Sequence, residues 1–350
     1  MERALLLAAR ARGRTTPNPM VGAVVVTPDG VVAGAGFHAR AGEPHAEVHA
    51  LREAGEAARG ATLYCTLEPC SHVGRTPPCV DAILQSGIAR VVAAVADPNP
   101  RSGGGFRLMR DAGVRVDVGI GETAARRLMR PFFSAMRRGR PYVVAKAVTS
   151  LDGRVAAAGG GPTRLSSSAS DRRTHLLRAE VDAIAVGSGT ILADDPRLTA
   201  RGVYRSRPLA RVVFDRRLRT PASAKLFATL ECGPVIVVSS EGAPPEAARA
   251  LESAGARVVT ADGGLADALR LLLPEGIQSV LVEGGPTLHA ALWREGVVDA
   301  VRLVVASRAL GEGGVPWVGP AEAPWASWRL VSVELVGGDV IIEADVHWTD

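Results

Sequence analysis

The chain has 350 residues, which is enough for two domains because a single domain usually contains roughly 100 to 200 residues. Hydrophobic residues make up 47% and charged residues 22%, values that exclude a disordered chain, and no apolar run reaches the roughly 18 residues of a membrane span. The formal net charge of +5 suits a phosphorylated small ligand or, less well, nucleic acid.

The chain begins with a segment that predicts an amphipathic helix. Its first fourteen residues carry charges on both sides of a short apolar run, which argues against a secretion signal, and we expect a cytoplasmic protein. The next feature is a pair of apolar runs, 21–26 and 31–37, separated by Pro28-Asp29-Gly30. Because Asp-Gly supports the positive φ of tight turns, the pair predicts a β-hairpin.

Strand-like and helix-like segments then alternate. The sequence predicts helices at 46–59 and 78–86 and strands at 61–67 and 89–96. Alternation of this kind predicts a mostly parallel sheet with both faces covered by helices.

A basic segment over 121–138 predicts a long helix just before a domain boundary. Gly139-Arg140-Pro141 stops this helix, since proline cannot continue a helix and glycine closes one readily. We therefore expect domains at 1–139 and 140–350. Apolar runs resume beyond the boundary and predict a second α/β domain. These runs are 142–148, 182–187, 210–214, 234–239, 256–260, 277–284 and 300–306.

The strongest chemical signal is a possible metal site made by Pro44-His45-Ala46-Glu47, Pro69-Cys70 and Cys79. One imidazole and two thiolates are good zinc ligands, and a fourth position left to water is typical of a catalytic zinc site. Zinc lowers the pKa of that water towards neutrality, and Glu47 is the candidate to accept its proton. Residues two apart on a helix point about 200° apart, so His45 and Glu47 converge only if His45 lies at the helix start.

Two other interpretations stay open on these residues alone, a closed structural zinc site and three buried cysteines without metal. The His-x-Glu pair followed by Pro-Cys matches the signature of zinc deaminases, in which the glutamate is not a ligand. The eight residues between Cys70 and Cys79 depart from the usual two. Cys65 lies in a strand-like run and is assigned to packing.

Several segments closely resemble the family of bifunctional riboflavin-biosynthesis deaminase/reductases, in which the eight-residue cysteine spacing is the expected one. The deaminase-like segments are TTPNPMVGAVVV (15–26), HAEVHALREAG (45–55) and TLEPCSHVGRTPPC (66–79). The reductase-like segments are KAVTSLDGR (146–154), VGSGTILADDPRLTAR (186–201) and VEGGPTLHAAL (282–292). The resemblance therefore spans most of the chain.

By this resemblance, the first domain has a three-layer, cytidine-deaminase-like α/β fold. His45, Cys70 and Cys79 would bind one zinc ion per chain. Glu47 would shuttle protons while hydroxide displaces ammonia from C2 of 2,5-diamino-6-ribosylamino-4(3H)-pyrimidinone 5′-phosphate. Further substrate contacts are expected from Asn18 at the pyrimidine edge and, at the ribose phosphate, from His38, His72 and Arg75.

The same resemblance implies a dihydrofolate-reductase-like α/β fold for the second domain, where NADPH would reduce the ribosyl group to ribityl. The residues expected to contact the substrate are Lys146, Arg178, Leu198, Arg201 and Glu283. The residues expected to contact the cofactor are Arg164, Thr190, Asp194, Gly285, Pro286 and Thr287. Arg164 stands where the family usually has an aromatic residue. It leaves open a deaminase whose reductase half is inactive or altered.

A second class of function is a nucleic-acid protein, either a base deaminase or a zinc-stabilised binding domain. The basic charge permits it, but aromatic residues make up only 4% of the chain and cannot provide a stacking surface for bases. We therefore expect a phosphorylated pyrimidine as the partner, with no nucleic acid and no membrane, and a homo-oligomeric protein.

Overall fold

The computed structural model describes residues 1–74, 77–159, 163–318 and 328–346. The chain folds into two compact units, Met1–Gly139 and Arg140–Asp350, each with its own sheet. A search of the described ranges finds no helix with the length and apolar character needed to cross a lipid bilayer.

In its described residues, the first unit contains six α-helices and five strands. In chain order they are α1 (Glu2–Ala9), β1 (Gly22–Val26), β2 (Val32–Phe37), α2 (Ala46–Ala54), β3 (Thr62–Cys65), α3 (Cys79–Gln85), β4 (Arg90–Ala93), α4 (Gly105–Asp111), β5 (Arg115–Val118), α5 (Glu122–Leu128) and α6 (Arg130–Arg138). A short 3₁₀ turn, Gly55–Ala58, follows α2.

The strands of the first unit form one sheet in the order β2-β1-β3-β4-β5. The predicted hairpin is confirmed, since β1 and β2 pair antiparallel across a turn in which Gly30 has φ of 87°. β1 also pairs antiparallel with β3, whereas β3, β4 and β5 are parallel. The prediction of a mostly parallel sheet is therefore wrong for this unit, because both pairings of β1 are antiparallel and only two of the four pairings are parallel.

Glycines in β2 allow α2 to lie directly against the sheet. A Cβ atom at Gly34 would come within 2.1 Å of the Ala50 carbonyl oxygen, and one at Gly36 within 2.4 Å of the His49 Cβ. No side chain fits in that space, so the sheet backbone touches the helix. The depth of α2 on the sheet is thus fixed by two residues that have no side chain.

The predicted basic helix over 121–138 is two helices, α5 and α6. The helical backbone is interrupted at Met129, where φ is −101° and ψ is 17°. Pro131 lacks an N–H group and is tolerated only in the first turn of a helix, so a new helix starts there. Two short elements, α4 and β5, were not predicted at all.

The second unit is built on a larger sheet, and its described residues contain five α-helices and eleven strands. In chain order they are β6 (Tyr142–Thr149), β7 (Arg154–Ala156), α7 (Ser168–Glu180), β8 (Ala183–Gly187), α8 (Ser188–Asp194), β9 (Ala210–Phe214), β10 (Val235–Ser239), α9 (Pro245–Ser253), β11 (Ala256–Thr260), α10 (Leu265–Arg270), β12 (Ser279–Val282), α11 (Pro286–Arg294), β13 (Ala300–Val305), β14 (Val315–Pro316), β15 (Arg329–Val336) and β16 (Asp339–Asp345). A second 3₁₀ segment, Phe227–Cys232, lies between β9 and β10.

Nine of these strands form one sheet in the order β11-β10-β9-β8-β12-β6-β13-β16-β15. The seven predicted strands are all present and run parallel, from β11 to β13. The hairpin β15–β16, which was not predicted, adds two antiparallel strands at one edge. Strands β8, β9, β10 and β12 are buried almost throughout, with separate apolar clusters on the two faces of the sheet.

In a sheet covered on both faces, the carboxyl ends of the strands are the accessible places for polar groups. Residues that follow β8, β9, β10 and β12 therefore meet along one edge. This edge carries the candidate site of the second unit.

Candidate functional site

The three predicted zinc ligands come together in the first unit. His45 is the residue before α2, with extended backbone, Cys70 lies in the loop after β3, and Cys79 is the first residue of α3. His45 Nδ1 lies 3.2 Å from Cys79 Sγ and 3.5 Å from Cys70 Sγ. The three ligand atoms all lie within 4.8 Å of one another. Two sulfurs and one imidazole nitrogen at this separation fit a tetrahedral zinc site with one position open.

Local structure favours ionised sulfur at this site. The backbone N–H of Cys79 donates to Cys70 Sγ at 3.4 Å. The hydrogen bond from the Cys79 thiol is the main cause that lowers the pKa of Cys70 to about 4, against the effect of burial, and His45 contributes in the same direction. The same hydrogen bond, followed by burial, raises the pKa of Cys79. A metal ion takes the place of that shared proton, since zinc binds cysteine as thiolate.

Glu47 lies beside this cluster in the first turn of α2. It is 3% exposed, and its Oε2 has no hydrogen-bond partner among the described residues. Burial raises the pKa of Glu47 to about 7, although His45 acts against this rise. A buried carboxyl group that titrates near neutral pH and has an orphaned oxygen is suited to take up and release a proton.

Asn18 and His38 form a supported pair near His45. His38 is 2% exposed, and its Nδ1 lies 3.2 Å from the Pro44 carbonyl oxygen, to which it donates. Its Nε2 therefore accepts a hydrogen bond from Asn18 Nδ2 at 3.0 Å, and Asn18 Oδ1 stays available as an acceptor. Burial lowers the pKa of His38. His38 therefore supports Asn18, and the phosphate contact expected of His38 stays a prediction.

The two other predicted phosphate contacts belong to the loop between the cysteines. His72 is exposed in this loop and stays a prediction. Arg75 lies outside the described residues. Cys65, assigned to packing, is fully buried in the apolar core of the unit.

In the second unit, three of the predicted substrate residues form a cluster of charges. Lys146 comes from β6, Arg178 from α7, and Glu283 directly follows β12. Glu283 Oε2 lies 3.2 Å from Lys146 Nζ and 3.0 Å from Arg178 Nη2, and its Oε1 lies 2.7 Å from Arg178 Nε. Burial alone would raise the pKa of Glu283, but the two cations outweigh it and lower the pKa to about 2.

The cluster extends to the loop after α8. Arg178 Nη1 donates to the Thr199 carbonyl oxygen at 2.8 Å, and Arg201 Nη1 donates to Thr199 Oγ1 at 3.3 Å. The Arg201 N–H donates to His175 Nδ1 at 3.1 Å, a contact that sequence reasoning missed. Leu198 is 3% exposed and belongs to the apolar core, so only its backbone is available to a ligand.

A cavity of about 780 Å³ lies at the carboxyl ends of β8, β9, β10 and β11 and against α11. Of the predicted cofactor residues, Thr287 lines this cavity, at the start of α11. Gly285 and Pro286 immediately precede it, and Thr190 Oγ1 would lie 3.9 Å from a Cβ at Gly285. Asp194 is exposed at the end of α8. A cavity of this size and place suits a dinucleotide.

Sequence reasoning missed the arginines that line this cavity, Arg216, Arg217, Arg219 and Arg294. The available signal was the run Asp215-Arg216-Arg217-Leu218-Arg219, which directly follows β9. Asp215 fixes the turn, because its Oδ2 accepts from the Thr220 N–H at 2.7 Å and from Thr220 Oγ1 at 2.8 Å.

Arg164, expected near a cofactor phosphate, instead forms an ion pair with Asp171 of α7. Its Nη2 lies 3.3 Å from Asp171 Oδ2, and its side chain is 76% exposed. An exposed pair of this kind contributes only about 0–1 kcal/mol, so it would not hold Arg164 away from a ligand.

Comparisons with known proteins identify one family region in each unit. Residues 1–95 match the family model of the cytidine and deoxycytidylate deaminase zinc-binding region, and residues 141–342 match the RibD C-terminal domain. The riboflavin biosynthesis protein RibD of Aquifex aeolicus is 44% identical over 315 residues, which cover 89% of this chain and 87% of that protein. RibD of Mycobacterium tuberculosis is 40% identical over 341 residues, or 95% of this chain and 92% of the relative.

Solved structures give the same result for the fold. Acinetobacter baumannii RibD matches with a TM-score of 0.88 and 37% identity, covering 98% of this chain and 97% of that one. The deaminase/reductase of Thermotoga maritima matches with a TM-score of 0.86 and 34% identity, covering 99% and 97%. The family resemblance and the two predicted fold types are confirmed. The chain belongs to the RibD family of riboflavin-biosynthesis proteins, which join a zinc-binding deaminase domain to a reductase domain that uses NADPH.

Proposed function

We propose that residues 1–139 hydrolytically deaminate 2,5-diamino-6-ribosylamino-4(3H)-pyrimidinone 5′-phosphate at C2, and that residues 140–350 then reduce its ribosyl group to ribityl. The observation that carries the proposal is the cluster of His45, Cys70 and Cys79 beside the orphaned carboxylate oxygen of Glu47. The matched family regions, 1–95 and 141–342, support the division of the two reactions between the units.

In the first reaction, His45, Cys70 and Cys79 would hold the zinc ion. When bound, zinc lowers the pKa of a water molecule so that hydroxide is available at neutral pH. Glu47 accepts the proton released from water and passes it to the departing amino group, so that C2–NH₂ and water become C2=O and ammonia. Its pKa of about 7 allows both transfers near neutral pH. Asn18 Oδ1 accepts a hydrogen bond from the pyrimidine edge.

In the second reaction, bound NADPH supplies a hydride to C1′ of the ribosylamino group. The ionised Glu283 forms ion pairs with Lys146 and Arg178 in a partly buried site. Lys146 can then donate the proton that the ribose ring oxygen takes up as the ring opens. Arg178 and Arg201 bind the substrate phosphate, since guanidinium groups recognise phosphate oxygens in bidentate fashion.

The cavity beside α11 would hold the cofactor, with Thr287 in its lining and Thr190, Asp194, Gly285 and Pro286 as further cofactor contacts. Arg216 and Arg217, which line the cavity, would bind the extra phosphate that distinguishes NADPH from NADH. The intact ion cluster and cavity argue against an inactive reductase half.

The decisive experiment supplies the diaminopyrimidine phosphate to the full chain with and without NADPH and identifies the products. We expect ammonia and the deaminated ribosyl compound without NADPH, and the ribityl compound with it. Elemental analysis should give one zinc per chain. Zinc-free protein that still releases ammonia would contradict the first half of the proposal, and deaminated product that is never reduced would contradict the second.

We further propose a cytoplasmic homo-oligomer without nucleic-acid or membrane partners. Its support is an apolar face on the edge strand β15, where Leu330, Val333 and Leu335 are 61%, 56% and 79% exposed. The strand register places all three on the face of Val340, Ile342 and Ala344 in β16. Light scattering of the wild type and of Leu335→Lys tests this assembly. We expect more than one chain per particle in the wild type and a smaller particle in the variant, whereas a monomeric wild type would contradict it.

A further inference from the structure

Glu68, in the segment TLEPC, has a buried carboxylate that is fully engaged by backbone N–H groups. It is 6% exposed. Its Oε2 accepts from the Asp97 N–H at 3.1 Å, and its Oε1 accepts from the N–H groups of Gly104 at 3.1 Å and Phe106 at 3.0 Å. These donors lie at the two ends of one segment, residues 97–106, which comprises the loop after β4 and the first two residues of α4 and which we call the clasped loop. One side chain therefore closes the clasped loop.

The clasped loop also holds the residues on either side of Cys70. The Ser71 N–H donates to the Ser102 carbonyl oxygen at 3.1 Å, and Ser71 Oγ donates to the Gly103 carbonyl oxygen at 2.7 Å. On the other side of Cys70, a Cβ at Gly105 would lie 2.0 Å from the Pro69 carbonyl oxygen, so the two backbones are in direct contact. The chain around Cys70 thus rests on the clasped loop at Glu68, Pro69 and Ser71.

We propose that Glu68 is a positioning residue of the deaminase centre, which holds the metal ligand Cys70 in place by closing the clasped loop. The inference rests on the proposed zinc site and adds to it a residue that contacts neither metal nor substrate. Groups that orient metal ligands usually matter almost as much as the ligands, because a displaced ligand binds the ion more weakly. In Glu68→Gln the amide –NH₂ cannot accept a hydrogen bond, so at least one end of the clasped loop loses its partner.

The test uses the zinc-loaded full chain and follows release of zinc to an excess of a coloured chelator. We expect Glu68→Gln to lose zinc about 10- to 100-fold faster than the wild type. The matched control is Glu122→Gln, which removes an equally negative side chain from an exposed pair in the same unit and should release zinc at the wild-type rate. NADPH-dependent reduction of added deaminated substrate, which belongs to the other unit, should be unchanged in both.

Amide hydrogen exchange separates positioning from general loss of structure. In Glu68→Gln we expect faster exchange at the end of the clasped loop that faces the amide –NH₂, either at Asp97 or at Gly104 and Phe106, with unchanged exchange in β4. Equal zinc release in Glu68→Gln and wild type would overturn the inference while leaving the zinc site in place. A wild type that binds no zinc would overturn the zinc site itself.

Should Glu68→Gln fail to fold, Ser71→Ala gives a milder test of the same junction. It removes the hydrogen bonds from Ser71 Oγ to the Ser102 and Gly103 carbonyl oxygens and keeps the bond from the Ser71 N–H, so we expect a smaller acceleration of zinc release, about two- to five-fold. Zinc release from Ser71→Ala at the wild-type rate would then count against the inference.

Discussion

The two candidate sites differ in how completely the protein satisfies its own polar groups. In the first unit, Glu47 has an orphaned oxygen, and two sulfurs share a proton where they would bind a cation. In the second unit, Glu283 is paired with both Lys146 and Arg178, so each of these charged side chains has a partner of opposite sign without any ligand. The first site is chemically incomplete without its metal. The second site has its ion pairs already formed before substrate and cofactor bind. This contrast predicts different responses to mutation.

The largest effect is expected at the incomplete site. Glu47→Gln should reduce ammonia release about 10²- to 10⁴-fold, the range for loss of a general acid–base group, because the amide cannot carry the proton. Zinc content should stay at one per chain, since Glu47 is not a ligand. Ammonia assays and elemental analysis check both points. Normal ammonia release would show that another group moves the proton.

Mutation of the ion-paired site in the second unit should lower the stability of that unit as well as its activity. Glu283→Gln leaves Lys146 and Arg178 without their counter-charge, and removal of one partner from a buried ion pair destabilises by roughly 3–5 kcal/mol. Chemical denaturation should show this loss in the second unit, together with loss of reduction. Glu334→Gln is the control, since its pair with Arg173 is half exposed and contributes about 0–1 kcal/mol. Equal stability of the two variants would mean that the cluster is not a structural element.

The second unit should also be sensitive to acid through His289. Burial lowers the pKa of His289 to about 4, so between pH 6.5 and 4 the unfolded chain binds a proton there and the folded chain does not. The resulting stability is complete above pH 6.5 and is lost as the pH falls towards 4, by about 3 kcal/mol in all. His289→Asn keeps an acceptor for the Trp317 N–H and should flatten this dependence in pH-resolved thermal unfolding. An unchanged slope would exclude His289 as its source.

The smallest effect is expected at the rim of the cofactor cavity. Arg217→Gln should reduce the preference for NADPH over NADH about tenfold, which corresponds to about 1.4 kcal/mol for one phosphate contact. The ratio of kcat/KM values for the two cofactors measures it. Arg249→Gln, on the exposed side of α9, should leave the ratio unchanged. If the ratio of kcat/KM values for NADPH and NADH were the same in Arg217→Gln as in the wild type, Arg217 would not be the residue that contacts the phosphate.

The sequence predicted the metal cluster well because its geometry is mostly local. Pro44 and Pro78 each precede a helix, so His45 and Cys79 were expected at helix starts, and both lie there. Asp29-Gly30 likewise marked the hairpin. The family resemblance supplied the roles of these residues, whereas local chemistry explains their positions.

For the second site, the sequence predicted which residues take part but not how they are arranged in space. Lys146 and Glu283 are 137 positions apart and meet because β6 and β12 are neighbours in the sheet, an order that no local pattern contains. The same holds for Glu68, whose partners Asp97, Gly104 and Phe106 lie in a loop without a strong sequence signal. Long-range pairing of strands and loops therefore decided what sequence reasoning missed.

Because glycine has no side chain, Gly34 and Gly36 should tolerate few substitutions. They set how deeply α2 sits on the sheet, and α2 carries Glu47 and begins next to His45. An added methyl group at either position would push the whole helix outward and move both chemical groups together. In a library screened for deamination, these two glycines should be as intolerant as the metal ligands, although neither belongs to the set of residues that performs the chemistry.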